Sequence, residues 1–114
     1  MKFKHAIAAI ILISSFATPV VAGPFEDAFA AYSRGDYATA LRLYQPLADK
    51  GSPIAQTNLG VMYANDEGVA RDYAEAVKWF RLAADQGLDY AQRNLGEMYA
   101  NGQGAPQDYV LAYK

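Results

Sequence analysis

The side chains of this sequence that could do chemistry are few, and carboxylates are the main ones. There is no cysteine and one histidine, His5, so thiol nucleophiles, histidine-based triads and zinc sites with nitrogen and sulfur ligands lack their residues. Asp66 and Glu67 are adjacent, and two carboxylates can perform acid–base catalysis if one is desolvated. A second copy of this segment has Gly102 and Gln103 instead, which favours a solvated turn. We therefore predict no catalytic residue, cofactor or metal ligand.

Six amide and thioether side chains recur at the same spacing in two segments, and they are our candidate partner-binding residues. They are Gln56, Asn58 and Met62, with the equivalents Gln92, Asn94 and Met98. Amides both donate and accept hydrogen bonds, which suits an extended peptide backbone, and methionine offers an adaptable apolar contact. The alternative is that these residues support adjacent repeats, for example through a hydrogen bond between Asn58 and Asn94.

This recurrence belongs to a repeat with a period of 36 residues. Residues 48–78 and 84–114 are identical at 17 of 31 positions. A fixed period of this length is typical of a solenoid, in which each unit stacks on its neighbours to bury its apolar face. Apolar residues three and four positions apart predict helices at 25–33, 37–49, 53–64, 73–86 and 89–100, and another from 108. No strand-like alternation is present, so the predicted class is all-α, in antiparallel helix pairs.

Several residues predict where these helices begin, end or approach each other. Asp36 precedes the second predicted helix, Ser52 precedes a proline, and Asp72 precedes Glu75 by three positions, as at capped helix starts. Pro46 lies within an apolar helical pattern and predicts a kink or an early end. Gly60 lies beside the apolar stripe of its helix, where a missing side chain allows another helix to approach closely.

The recurring aromatic residues follow the packing stripe, so we expect them in the core. They include Tyr63, Tyr73, Tyr99 and Tyr109. For Trp79 two roles are open, because a tryptophan on a helix surface can also anchor a partner.

The N-terminal 22 residues have the layout of a cleavable secretory signal. Lys2 and Lys4 precede an apolar run at 6–17, and small residues lead up to Ala22. The run is shorter than the ~20 apolar residues that a membrane span needs. We therefore expect cleavage after Ala22, a periplasmic or secreted location, and a single domain at 23–114.

The charge of this domain limits the classes of partner that it can bind, and its lack of cysteine limits how it can be stabilised. Removal of residues 1–22 leaves 8 basic and 12 acidic residues, a net charge of −4. An acidic chain argues against nucleic acid or an anionic membrane surface as the partner. Without cysteine, an exported domain must be stable through packing alone and carries no lipoprotein anchor.

The repeated residues identify a family. They are Ala55, Leu59, Gly60, Tyr63, Gly68, Asp72, Tyr73, Ala76, Trp79, Phe80, Ala83, Ala84 and Gly87. This pattern resembles the Sel1-like repeat, a relative of the tetratricopeptide repeat. The resemblance divides the domain into a tetratricopeptide-like unit at about 25–50, a full repeat at 51–87 and a partial repeat at 88–114. It implies a right-handed α-solenoid.

The resemblance also implies a function: a non-enzymatic scaffold that binds a protein or peptide of the cell envelope on its concave face. Some secreted relatives are cysteine-rich and have been linked to binding or cleaving β-lactams. The alternative function is therefore a secreted hydrolase of β-lactam or cell-wall amide bonds, although this chain lacks their cysteines.

The last predicted helix is shorter than its counterpart one repeat earlier. Val110, Leu111 and Tyr113 do not form the polar outer face of a capping helix. We expect either a longer repeat array or a short protein that packs against a partner or, by self-association, against a second copy of itself.

Overall fold

The computed structural model describes residues 23–106 and 108–112, apart from the side chains of residues 109 and 110. Within these ranges the chain forms helices and no strand, which confirms the predicted all-α solenoid class. The helices are α1 (Pro24–Ser33), α2 (Tyr37–Asp49), α3 (Pro53–Asn65), α4 (Tyr73–Asp85), α5 (Asp89–Asn101) and α6 (Tyr109–Ala112). Each helix packs against the next one along the chain. The predicted signal at 1–22 lies outside the described residues.

Helix starts follow the capping residues that the sequence indicates. Asp36 Oδ1 accepts a hydrogen bond from the backbone N–H of Thr39 at 3.3 Å, at the start of α2. Ser52 Oγ accepts from Ala55 N–H at 3.2 Å, at the start of α3. These bonds satisfy amide groups that have no partner inside the helix. None of the helices in the described ranges is long and apolar enough to cross a membrane.

The start of α4 differs from the predicted capping box in one respect. Asp72 Oδ1 accepts from Glu75 N–H at 3.1 Å, as expected. The Glu75 carboxylate, however, pairs with Lys78 Nζ at 3.1 Å. The backbone N–H of Asp72 donates to Tyr63 O at 2.9 Å, so it does not need the carboxylate. Only half of the box forms because the chain entering α4 is already bonded to α3.

The predicted early end at Pro46 is wrong, since α2 continues to Asp49. Pro46 has no N–H to donate to the carbonyl four residues earlier, so the helix lacks that one bond, but only its last turn follows. Its own carbonyl accepts from Lys50 N–H at 3.1 Å, which closes the helix end. The burial of Ala48 against neighbouring helices also keeps the turn in place.

Two apolar clusters make up the core, and neither is confined to one helix pair. The first joins α1, α2 and α3 and also takes in Trp79 of α4. The second joins α4 and α5, through Phe80 and Met98, with Val61 of α3 packed against it. Trp79 is 8% exposed, so its role is packing between units and not anchoring a partner. The stack is therefore continuous from α1 to α5.

At Gly60, α4 approaches α3 closely, as the sequence indicates. A Cβ atom added to Gly60 would lie 2.6 Å from Cε1 of Phe80, well inside van der Waals contact. Gly68, in the loop between α3 and α4, has a φ of +76°, and an added Cβ would lie 2.7 Å from the carbonyl oxygen of Tyr37. The loop therefore rests directly on the start of α2, which fixes the residues beside Gly68.

We predict that Gly60→Leu lowers the free energy of unfolding by about 1–3 kcal/mol, because the added atoms overlap the ring of Phe80. Urea unfolding followed by circular dichroism measures the change. Ala74→Leu is the matched control, since Ala74 is exposed on α4 and its enlargement meets no core residue. Equal destabilisation by the two variants would contradict the close approach.

Candidate binding groove

Two adjacent cavities lie across helices α1, α3 and α5, the first helices of the three units. One, the aromatic cavity, has a volume of about 280 Å³ and is lined by Phe29, Tyr32, Tyr44, Asn58, Val61 and Tyr90. The other, the amide cavity, has a volume of about 330 Å³, and its lining includes Arg71, Asn94 and Glu97. Val61 and Tyr90 line both cavities. We call the two together the inner groove.

Two aromatic side chains of the inner groove are unusually exposed. Phe29 on α1 is 57% exposed and Tyr90 on α5 is 46% exposed. Large apolar surface at a concave site is typical of ligand-binding positions. These two rings are therefore available to a partner without any rearrangement of the core.

Tyr32 is tied to the loop between α3 and α4. Its hydroxyl donates a hydrogen bond to Glu67 Oε1 at 2.8 Å. The backbone N–H of Glu67 in turn donates to Met62 O at 3.0 Å, which holds the loop against α3. Burial raises the pKa of Tyr32, and the hydrogen bond to the Glu67 carboxylate raises it further. Tyr32 therefore stays a neutral donor well into the alkaline range.

Asn58 supports the buried phenol of Tyr44. The two side chains form a hydrogen bond in which the amide donates, and this bond partly offsets the effect of burial, which raises the pKa of Tyr44. Tyr44 is 1% exposed. Asn58 thus lines the aromatic cavity and completes a buried polar pair, and it does not bond to Asn94 as one of our alternatives expected.

Asn94 is the equivalent of Asn58 one repeat later, but its environment is different. The residue equivalent to Tyr44 is Phe80, which has no hydroxyl. The Asn94 Nδ2 atom is buried and has no hydrogen-bond partner among the described residues. A buried unpaired amide costs free energy, and an amide that lines a cavity can recover it from a ligand. The later repeat therefore keeps the amide, but the residue at the position of Tyr44 has no hydroxyl to pair with it.

The two glutamines join neighbouring helices. Gln56 is buried; its Nε2 donates to Ala48 O at 3.1 Å, and its Oε1 accepts from Gln86 Nε2 at 2.9 Å. Gln92 makes the same backbone bond one repeat on, to Ala84 O at 3.3 Å. These bonds agree with the alternative that the glutamines support adjacent repeats. Gln56 offers no free surface to a partner, whereas Gln92 is exposed.

The two methionines are core residues. Met62 is completely buried in the first cluster, and Met98 is 5% exposed in the second. We placed them on the partner-facing surface because their positions differ from the stripe of Ala55, Leu59 and Tyr63. A helix packed between two neighbours buries more than one face, however, and these thioethers fill the additional contact. Of the six candidates, Asn58 and Asn94 line the inner groove with side chains that are not fully buried.

The adjacent carboxylates Asp66 and Glu67 face different partners. Asp66 has a φ of 61°, and its Oδ1 accepts from Arg71 N–H at 3.2 Å, so it shapes the turn. Glu67 binds Tyr32 instead. Phe29 and Tyr32 were not among the candidates, and Glu67, expected in a solvated turn, is half-buried. Phe29 and Glu67 do not recur at the 36-residue period. The exposure of Phe29 becomes evident only once α1 is placed beside α3.

The Sel1 repeat matches this chain three times, at residues 30–52, 53–88 and 89–114. The chain belongs to the Sel1 repeat family. The resemblance stated from the sequence is thereby confirmed. Proteins of this family are usually scaffolds for protein interactions.

Solved structures agree with this assignment. A protective antigen present in uropathogenic Escherichia coli strains, which displays a Sel1-like fold, is 46% identical with a TM-score of 0.73; the match covers 78% of this chain and 20% of that one. A Sel1 repeat protein from Oxalobacter formigenes is 35% identical with a TM-score of 0.72, over 77% of this chain and 36% of that one. This chain thus spans about a fifth and about a third of those proteins. No match to a curated protein was found.

We predict opposite outcomes for the two equivalent asparagines. Asn58→Ala leaves the buried Tyr44 hydroxyl without its partner and lowers the free energy of unfolding by about 1–3 kcal/mol. Asn94→Ala removes an amide whose Nδ2 has no hydrogen-bond partner among the described residues, and it changes stability by less than about 0.5 kcal/mol. Urea unfolding measures both. A loss at Asn94 as large as at Asn58 would show that Asn94 supports the stack.

The Tyr32–Glu67 bond predicts a pH dependence in alkali. The folded-state pKa of Tyr32 lies above its unfolded value of 10.0, so its stabilising contribution is complete below pH 10 and is lost as the pH rises through the folded-state pKa. The stability advantage of the natural chain over Tyr32→Phe should therefore be constant up to about pH 9 and shrink as the pH rises above about 10, as measured by chemical unfolding. Tyr44 titrates in both proteins, so its contribution cancels from the difference in stability. A constant difference would contradict this assignment.

Proposed function

We propose that this chain is a non-enzymatic module that binds a protein or peptide along the inner groove. The observation that carries the proposal is the groove itself, which crosses the first helices of three stacked units and exposes Phe29 and Tyr90 within it. A ligand that follows the groove would contact each unit in turn. An extended peptide or a partner helix has the shape for such a surface.

The polar groups of the groove support the same proposal. The Asn94 amide can bond to the backbone of an extended peptide in place of the partner that Phe80 does not provide. Arg71 and Glu97 line the same cavity with opposite charges, which suits a polar backbone and mixed side chains. The exposed rings would act as anchors and the amide would fix the register.

We also propose that the chain is exported and that the domain at 23–114 acts in the periplasm or outside the cell. This proposal rests on the basic start, the apolar run and the small residues before Gly23. The Escherichia coli relative is described as a protective antigen, which is in keeping with export.

Capture of a partner from envelope extract tests the binding proposal. The natural chain, the double variant Phe29→Ala/Tyr90→Ala and Leu82→Ala are immobilised and compared by quantitative mass spectrometry. Leu82 is an exposed apolar residue on α4 that does not line the groove, so it is the matched control. We expect the groove variant to lose its specific partner by about tenfold or more, since anchors dominate such interfaces, while Leu82→Ala keeps it.

Two results would contradict the proposal. One is a partner that the groove variant retains and Leu82→Ala loses, which would place the interface on α4. The other is no protein enriched by the natural chain over the groove variant. Circular dichroism of all three proteins confirms that they are equally folded.

Cell fractionation and N-terminal sequencing test the export proposal. We expect a chain that begins at Gly23 in the periplasm or the medium. A chain that begins at Met1 and stays in the cytoplasm would contradict export, and the groove experiment would be unaffected.

A further inference from the structure

The aromatic cavity is made of ring surfaces and has a carboxylate beside it. Four aromatic side chains, from α1, α2 and α5, line its walls, and none of its six lining residues carries a charge. The Glu67 carboxylate lies one hydrogen bond away, at 2.8 Å from the Tyr32 hydroxyl. Aromatic faces carry negative electrostatic potential, so rings with a nearby carboxylate favour a cation over a neutral or anionic group.

We propose that the aromatic cavity receives an organic cation, namely an arginine or lysine side chain that the bound peptide presents. This inference rests on the proposed function and specifies the chemistry of its ligand. The rings of Phe29, Tyr32 and Tyr90 would surround the charged end, and Glu67 would supply the opposite charge.

The hydrogen bonds around the cavity agree with a donor-rich ligand. The Tyr32 proton is committed to Glu67, so the phenol oxygen remains as an acceptor. Guanidinium and ammonium groups carry several donors and no acceptor, and their hydrocarbon stems can pack against an apolar wall such as Val61.

Among the described residues, the cationic side chains nearest to these rings do not line this cavity. Arg93 lies 5.8 Å from the centre of the Tyr90 ring, but it lines a separate cavity beside Leu111 and not the aromatic cavity. Arg71 lies 5.6 Å from the centre of the Tyr73 ring, in the amide cavity. The net charge of −4 expected for residues 23–114 also favours a basic partner over an acidic one.

The first arm of the test uses a single charged residue as the probe. N-acetyl-arginine amide is titrated into the protein and followed by aromatic ¹H–¹³C NMR, with N-acetyl-citrulline amide as the neutral probe of the same shape. We expect arginine to shift the signals of Phe29, Tyr32 and Tyr90, and citrulline to bind at least about fivefold more weakly. Equal binding of the two probes, or arginine shifts confined to other residues, would overturn the inference.

Variants locate the effect. Glu67→Gln keeps a hydrogen-bond acceptor for Tyr32 but removes the charge, and Tyr90→Leu removes an exposed ring; each should weaken arginine binding by about threefold or more. Leu82→Ala should leave binding unchanged. If both variants bind arginine as the natural chain does, the cation site is not in this cavity.

A second arm separates this inference from the proposed function. An acetylated, amidated hexapeptide with one central arginine is compared with the same peptide containing citrulline. Additional shifts at Asn58 and Asn94 with the arginine peptide would support both proposals. Equal groove binding by the two peptides would overturn the cation inference and leave peptide binding intact. Binding of the single arginine without any added contact from the hexapeptide would support the cation site and count against peptide binding along the groove.

Discussion

The structure depends on one constraint: within the part of the chain that the structure describes, neither apolar cluster is enclosed by a single helix pair. Trp79, which belongs to the second unit by sequence, packs in a cluster made by α1, α2 and α3. Phe80, the next residue, packs in the other cluster, with α5, and contacts the position of Gly60. Two consecutive side chains of α4 therefore connect the units on either side. Burial of apolar surface, the main driving force of folding, is shared across this joint.

The inner groove is a consequence of the same stacking. Because each unit repeats the previous one after a fixed displacement, helices α1, α3 and α5 come to line two adjoining cavities. Differences between the repeats then give the groove its chemistry. Tyr44 in one unit pairs with Asn58, whereas Phe80 in the next has no hydroxyl, and Asn94 Nδ2 has no hydrogen-bond partner among the described residues. The residues that recur in each repeat build the scaffold. The residues that differ between repeats determine which ligand the groove prefers.

Sequence reasoning recovers the parts of this architecture that depend on local rules. Caps at Asp36, Ser52 and Asp72 and the close approach at Gly60 follow from residue type and spacing alone. Residue type and spacing do not show that a helix is buried on a second face, which is why Gln56 and Met62 were expected at the surface. Sequence reasoning also does not predict contacts between segments that are far apart in the chain. The bond from Tyr32 to Glu67 joins residues 35 positions apart.

The central claim is that the two clusters form one cooperative stack, and coincident unfolding tests it most directly. Trp79 is the single tryptophan and reports on the first cluster by fluorescence, while the Met98 methyl group reports on the second by ¹H–¹³C NMR. Urea titration of the chain should give one midpoint for both probes, because each cluster needs the helices of the other. Two clearly separated midpoints would mean that the units fold independently, and the shared core would be wrong.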